Sequence, residues 1–94
     1  MNNELIEDLK NLWETLMAFL KVRDYKAVVD YIAIFLNTDV DINYYKTILI
    51  ITKDFKQHPI IGPVRAQLYK KYYNYMIEKY PNFSMYNPHP DDNV

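Results

Sequence analysis

The segment Tyr25–Leu36 reads YKAVVDYIAIFL, and its pattern decides how the rest of the chain must be arranged. On a helical wheel its polar side chains, Lys26 and Asp30, fall on one narrow stripe, while apolar side chains cover most of the remaining circumference. A helix that is apolar over most of its surface must be enclosed by neighbouring elements. The pattern therefore predicts a central helix whose Lys26–Asp30 stripe faces water as a surface ion pair.

The N-terminal segment predicts an amphipathic helix over residues 3–22. Asn2 or Asn3 can cap its start, and its apolar residues occupy one arc of the helical wheel. Trp13, the sole tryptophan, lies within that arc. We therefore expect Trp13 in the core.

Short polar turns separate the predicted helices. The dipeptide Arg23-Asp24 ends the first helix and places Asp24 in position to cap the second, over residues 24–37. Asp39 or Asp41 can cap the third helix in the same way. Helices joined by such short links are antiparallel neighbours.

Residues 41–56 admit two interpretations. The run Thr47–Thr52 (TILIIT) is rich in β-branched side chains, which favour a strand in isolation. Because the chain offers no second strand for it to pair with, we predict a helix over residues 41–56. On the outer side of that helix Lys46, Lys53 and Lys56 form a basic edge.

The segment Gln57–Pro63 (QHPIIGP) must end the third helix, since each of its prolines disfavours the α conformation in the preceding residue. We interpret His58 as a solvated loop residue rather than a general base, because Asp54 is the only acidic side chain near it in sequence. A fourth helix is predicted over residues 63–80, with Pro63 in its first turn.

The fourth helix carries more apolar surface than one core requires. One of its apolar faces consists of Ala66, Tyr69, Tyr73, Ile77 and Tyr80. A second, separate face consists of Val64, Leu68 and Tyr75. Something besides the main core should therefore cover one of them. The tail, residues 81–94, is one candidate, because Phe83, Met85 and Tyr86 could dock on this helix, although its three prolines argue against regular structure there.

The sequence has almost none of the residue combinations that catalysis or metal binding needs. There is no cysteine, which excludes disulfides, thiolate catalysis and thiolate metal sites. His89, Asp91 and Asp92 offer suitable donor atoms, but a proline-rich terminus does not fix them, so we predict no metal site and no cofactor. Without a glycine-rich phosphate loop or a nucleophile beside a base, we predict that the protein is not an enzyme and takes no small-molecule substrate.

Composition also bears on location and source. No apolar run reaches the length of a membrane span, and the acidic N-terminus lacks the pattern of a signal peptide. We therefore expect no membrane association and a cytoplasmic location. The abundance of Lys, Asn, Ile and Tyr is typical of an AT-rich coding sequence, as in a phage or a low-GC bacterium.

The net charge of −1 conceals an asymmetry along the chain. Residues 1–42 carry a net charge of −4, residues 43–80 carry +5 and the tail carries −2. The simpler interpretation is that oppositely charged helices attract each other within one fold. The alternative is a positive face that is offered to an acidic partner.

The Tyr/Lys series of the fourth helix indicates an interaction surface, because Tyr and Arg often dominate the energetics of interfaces. The predicted partner-binding residues are Arg65, Leu68, Lys71, Tyr72, Tyr75 and Lys79. In a second interpretation the lysines bind phosphates and the tyrosines stack on nucleic-acid bases, although a pI near 6.0 and only two arginines argue against it. In the simplest interpretation, most of these tyrosines belong to the core with their hydroxyl groups outward.

Taken together, these patterns predict an all-α protein. Its residues 1–80 form a compact four-helix domain of antiparallel helical hairpins, followed by an extended, proline-rich C-terminal tail over residues 81–94. We predict a non-catalytic protein-interaction module, either an adaptor or inhibitor that binds a larger protein, or a protein that associates with itself. A nucleic-acid-binding accessory domain that uses the basic half, residues 43–80, is the alternative.

Overall fold

The computed structural model describes residues 2–90, which fold into four α-helices and two short 3₁₀ helices. The α-helices are α1 (Asn3–Lys21), α2 (Tyr25–Leu36), α3 (Ile42–Ile51) and α4 (Ile61–Lys79). The 3₁₀ helices are Lys53–Phe55, which follows α3, and Pro81–Met85, which follows α4. The described residues contain no strand, so the all-α prediction is confirmed and the strand interpretation of Thr47–Thr52 is excluded.

Side-chain caps begin the first three helices. Each capping oxygen accepts a hydrogen bond from a backbone N–H of the first turn: Asn2 at 2.7 Å, Asp24 at 3.1 Å and Asp41 at 2.8 Å. An acceptor at this position satisfies one of the N–H groups that have no partner within the helix. The three predicted starts are therefore confirmed, with Asn2 and Asp41 as the capping residues.

The connection between α3 and α4 differs from its prediction. Helix α3 ends at Ile51, since the chain tightens into the 3₁₀ helix Lys53–Phe55 instead of continuing to residue 56. Helix α4 begins at Ile61, two residues earlier than predicted, and Pro63 lies in its first turn as expected. The proline does not delay the helix, because N–H groups in the first turn need no intrahelical partner.

His58 lies in the loop before α4, as predicted, but its side chain is half-buried rather than fully solvated. Its Nδ1 atom accepts hydrogen bonds from the backbone N–H groups of Ile60 (3.1 Å) and Ile61 (3.2 Å). Its ring is half-buried between the rings of Tyr25 and Phe55, whose centroids lie 4.5 and 5.7 Å away. His58 therefore supplies a side-chain acceptor just before the first turn of α4.

Replacing His58 with alanine is expected to lower the free energy of unfolding by about 1 kcal/mol, because the backbone N–H groups of Ile60 and Ile61 lose their side-chain acceptor. His58→Asn is the matched variant, because its side-chain oxygen can accept the same N–H groups, and it should lose less than His58→Ala. Urea denaturation followed by circular dichroism measures both. Equal losses in the two variants would show that the aromatic contacts of the His58 ring, and not its hydrogen bonds to backbone N–H groups, stabilise the fold.

The four α-helices pack around one core. Helix α1 packs against α2 and α3, and α4 packs against the same two helices, while no Cα atom of α1 lies within 8 Å of a Cα atom of α4. Most of the fully buried apolar side chains belong to these four helices: Leu12, Leu16, Val28, Ile32, Ile48, Ile61 and Leu68. Trp13 does not join them. It is 44% exposed, so its predicted core position is wrong.

Helix α2 has the environment that its sequence predicts, with one exception. It contacts the other three helices, and Val28 and Ile32 are fully buried. Lys26 donates to Asp30 at 2.8 Å on the solvent-facing stripe, as predicted. Ile34 is the exception, since it is exposed beside that stripe.

Gly62, the only glycine, allows a close approach between α4 and the preceding turn. A Cβ atom at this position would lie 2.7 Å from the carbonyl oxygen of Lys56, closer than real Cβ atoms come to any neighbour. The atom it would meet belongs to the backbone, which cannot swing aside as a flexible side chain can. The first turn of α4 therefore rests directly on the end of the α3 connection.

The tail folds back along α4 and is not extended at its start. Residues Pro81–Met85 form a 3₁₀ helix, which corrects the expectation of no regular structure there. Phe83 packs against the rings of Tyr72 and Tyr73 at 5.8 and 5.5 Å between centroids. Met85 and Tyr86, by contrast, stay exposed. The tail thus covers part of the first predicted apolar face, and the core takes Val64 and Leu68 from the second.

Candidate functional site

The six predicted binding residues of α4 do not form one surface. Leu68 is fully buried among the core residues, and Arg65 is only 7% exposed. Leu68 cannot meet a partner while the helices stay packed as they are, and Arg65 offers only a small part of its surface. The expectation that both lie on an open surface is corrected accordingly.

Arg65 is held inside the fold by the end of α3. Its Nε–H donates to the Thr52 hydroxyl at 3.1 Å and its Nη2 donates to the Leu49 carbonyl at 2.9 Å. Burial lowers the pKa of the Arg65 guanidinium, and the nearby Tyr69 partly offsets this. Carbonyl groups in the last turn of a helix have no intrahelical donor and carry partial negative charge. Arg65 therefore acts as a C-terminal cap of α3 that is supplied by another helix.

Lys71 does the same for α2. Its ammonium group donates to two carbonyl oxygens in the last turn of that helix, Leu36 at 2.9 Å and Phe35 at 3.3 Å, and to the Thr38 carbonyl just beyond it at 3.3 Å. It also lies 3.8 Å from the carboxylate of Asp39 and 5.5 Å from the ring centre of Tyr45. Two cations that the sequence assigns to an interface thus hold α4 against the ends of α2 and α3.

Tyr75 and Lys79 do lie on the surface. Tyr75 is 41% exposed, and the Lys79 ammonium lies 5.7 Å from the centre of its ring, a cation–π contact. They belong to the last two turns of α4.

The sixth residue, Tyr72, lines a groove between α3, α4 and the tail. We name it the basic–aromatic groove. It has a volume of about 610 Å³ and is lined by Lys46, Leu49, Ile50, Lys53, Lys56, Arg65, Tyr69, Tyr72, Asn87 and Pro88. This volume lies within the range of about 300–1,000 Å³ that is usual for ligand-binding clefts.

The charges around the groove all have one sign. Lys46, Lys53 and Lys56 are exposed along one wall, and Arg65 lies beneath them. No carboxylate is among the residues that line it. Cations that gather in a cleft with low-dielectric walls attract negatively charged groups more strongly than the same charges on a flat surface.

The floor and the far wall of the groove are apolar and aromatic. Ile50 is 58% exposed and lies next to the buried Leu49. Burial raises the pKa of Tyr69 and of Tyr72. Both phenols therefore stay protonated at neutral pH and remain hydrogen-bond donors.

The tail closes one edge of the groove. The Tyr69 hydroxyl donates to the Pro88 carbonyl at 2.6 Å, and Phe83 packs edge-on against the ring of Tyr72. Asn87 in turn donates to the Phe83 carbonyl at 3.0 Å. These contacts fix residues 83–88 beside the two tyrosines, so the tail is a wall of the site.

The sequence contains the signal for this groove in two separate pieces. The basic edge of Lys46, Lys53 and Lys56 follows from helical spacing on α3, and the Tyr/Lys series follows from spacing on α4. Helical spacing alone does not show which faces of two helices meet. The role of Ile50, exposed between these two pieces, has no signal in the sequence.

Two further observations concern what the described residues hold. Within residues 2–90, no group of three or more His, Asp or Glu side chains is placed to bind a metal ion, and Asp91 and Asp92 lie outside that range. No helix in this part of the chain is both long and apolar enough to cross a bilayer.

Comparison of the chain with protein-family models, with curated proteins and with solved structures finds no match.

Proposed function

We propose that the protein is a non-catalytic interaction module that binds an acidic segment of a larger protein in the basic–aromatic groove. One observation carries this proposal: four cationic side chains and no carboxylate line a groove whose floor is apolar. An acidic partner segment would gain charge attraction from the wall and burial of an apolar side chain on the floor.

The cations of the groove divide into two kinds, and each supports the proposal differently. Lys46, Lys53 and Lys56 are exposed and can move toward a carboxylate. Arg65 is fixed by its bonds to Thr52 and Leu49, so it adds a positive charge at a constant position. Mobile charges at a rim mainly raise association rates, whereas a fixed charge in a cleft contributes to selectivity.

The aromatic wall supports binding rather than catalysis. Tyr69 already donates a hydrogen bond to the Pro88 carbonyl. Both phenols are protonated at neutral pH, because the ordinary tyrosine pKa is about 10 and burial raises the pKa of each further. A protonated tyrosine is a poor nucleophile, but it offers a wide contact area with a polar tip. Such side chains are common at protein interfaces.

A pair of labelled peptides tests the proposal. The first contains Asp, Glu and Leu, and the second replaces each acidic residue with its amide. Fluorescence anisotropy should show that the acidic peptide binds at least about tenfold more tightly, and that Lys46→Glu/Lys53→Glu abolishes this preference. The matched control is Lys10→Glu/Lys70→Glu, which changes the net charge equally outside the groove and should retain it. Equal losses in both double variants would mean that net charge, not the groove, attracts the peptide.

Binding of nucleic acid remains the second candidate function. The observation that favours it is the placement of three lysines opposite two tyrosines across one groove, since lysines can bind phosphates while tyrosines stack on bases. A labelled single-stranded oligonucleotide distinguishes the two functions. It should bind more weakly than the acidic peptide, and its affinity should fall steeply with added salt. Tighter binding of the oligonucleotide by the wild type would favour the second function.

We also propose that the helices form two antiparallel hairpins, α1–α2 and α3–α4. Two observations support this arrangement. Arg65 in the first half of α4 meets the end of α3. Only three residues, 22–24, link α1 to α2.

A further inference from the structure

The outer face of α1 carries an apolar patch that its own chain leaves open. Trp13 and Met17 are each 44% exposed, one turn apart. They border a groove of about 770 Å³ between α1 and the end of α3, where Leu20, Ile51 and Phe55 are half-buried. Tryptophan and methionine on a surface are typical of contact sites, because both offer large apolar area that water solvates poorly.

This patch is separate from the basic–aromatic groove. The two grooves share no lining residue, and no Cα atom of α1 lies within 8 Å of a Cα atom of α4. An occupant of the patch therefore leaves the basic–aromatic groove open. The function proposed for the basic–aromatic groove does not explain what covers this patch.

Charges beside the patch are arranged for a second copy of the same chain. Glu14 and Lys21 border the groove seven residues apart, on one side of α1 and separated by about 10.5 Å along its axis. Met17 and Ala18 lie midway between them. If two α1 helices meet antiparallel about that midpoint, each Glu14 faces the Lys21 of the other copy. A parallel pairing in the same register would place like charges opposite each other.

Residue size at the midpoint fits the same arrangement. Ala18 is exposed, and its small side chain lets two helices approach closely. Trp13 and Met17 line the groove between α1 and the end of α3. In a symmetric pair each copy would bring its Trp13 toward the groove of the other, so both apolar patches would be covered by one contact.

We propose that this face forms a symmetric homodimer in which two α1 helices pack antiparallel about Met17 and Ala18. A symmetric contact of this kind closes on itself and does not propagate into fibres. The proposal does not depend on the function assigned to the basic–aromatic groove. It also places self-association on α1, whereas the sequence suggests it for the last helix.

Sedimentation equilibrium over a series of protein concentrations up to about 1 mM tests the dimer. The wild type should approach twice the monomer mass, and its Trp13 emission should shift to shorter wavelength as the patch becomes covered. Met17→Glu should stay monomeric, because two like charges would meet at the centre of the contact. Ile34→Glu, the same kind of change at an exposed isoleucine of α2, should dimerise as the wild type does.

A charge exchange tests the antiparallel register. Glu14→Lys and Lys21→Glu should each weaken self-association at least about tenfold, because each creates like-charge pairs across the contact. Mixed in equal amounts, the two variants should form a heterodimer in which every facing pair is again opposite in sign. A wild type that stays monomeric throughout the series, or a mixture that fails to associate while the wild type dimerises, would overturn the proposal.

Discussion

Replacing Leu68 with alanine is expected to lower the free energy of unfolding by about 2–5 kcal/mol. Leu68 is fully buried in the core that the four helices share. Truncation removes apolar contacts and leaves a cavity that close-packed neighbours fill only in part. Urea denaturation followed by circular dichroism measures the loss as a lower midpoint at an unchanged slope.

Tyr75→Ala is the matched control for Leu68→Ala. Both residues belong to the second predicted apolar face of α4, one heptad apart, but Tyr75 is 41% exposed. Its truncation should cost about 1 kcal/mol or less, although it removes the larger side chain. If the two variants were equally stable, Leu68 could not be a core residue and would return to the candidate binding surface.

Replacing Arg65 with alanine is expected to cost about 2–3 kcal/mol, the usual range for buried hydrogen bonds from a charged donor. The variant loses both the bond to the Thr52 hydroxyl and the bond to the Leu49 carbonyl. Thr52 keeps its own bond to the Ile48 carbonyl at 2.7 Å, so the Leu49 carbonyl is the group left without its partner. Thermal and urea denaturation should both show the loss.

Lys70→Ala controls for the loss of one positive charge from α4. Lys70 is exposed on the same helix, and its removal should change stability by less than about 0.5 kcal/mol. An Arg65→Ala variant as stable as Lys70→Ala would mean that the guanidinium contributes nothing to holding α3. Because Arg65→Ala should destabilise the fold, Tyr72→Ala is the better variant for measuring the binding role of the groove.

Sequence reasoning succeeded where the determining interactions are local. The caps Asn2, Asp24 and Asp41 bond to backbone groups two or three residues away, so residue type and position suffice to predict them. The helical state of Thr47–Thr52 follows from a similar argument, since a strand needs a partner that the chain does not offer. The all-α class rests on these local signals.

The hydrogen-bond partners of Arg65 and Lys71 could not be predicted in the same way. Arg65 bonds to a carbonyl 16 residues earlier in the chain, and the shortest Lys71 contact spans 35 residues. Every helix ends in carbonyl groups whatever its sequence, so the acceptors leave no signal in residue types. Residue types indicate acidic side chains and external partners as binding sites for a cation, but they do not indicate helix ends. For this reason the sequence pattern assigns both cations to an interface.

The misplacement of Trp13 has a different cause. It follows Leu12, which is buried, and successive residues of a helix point about 100° apart. Trp13 therefore lies on the side of the apolar arc that it shares with Ile6 and Met17, and all three are exposed. The wheel shows that this side is apolar, but the position of the neighbouring helices decides which part of the arc is buried.

If the basic–aromatic groove binds the proposed partner, the close contact between Gly62 and the Lys56 carbonyl bears on its affinity. Because α4 is seated directly on the preceding turn, Lys56 is held beside the helix that carries Tyr69 and Tyr72. A preorganised cleft loses little conformational entropy on association, and more of the contact energy then appears as affinity. The absence of a Cβ at position 62 thus lets backbone contact space the lysine wall and the tyrosine wall.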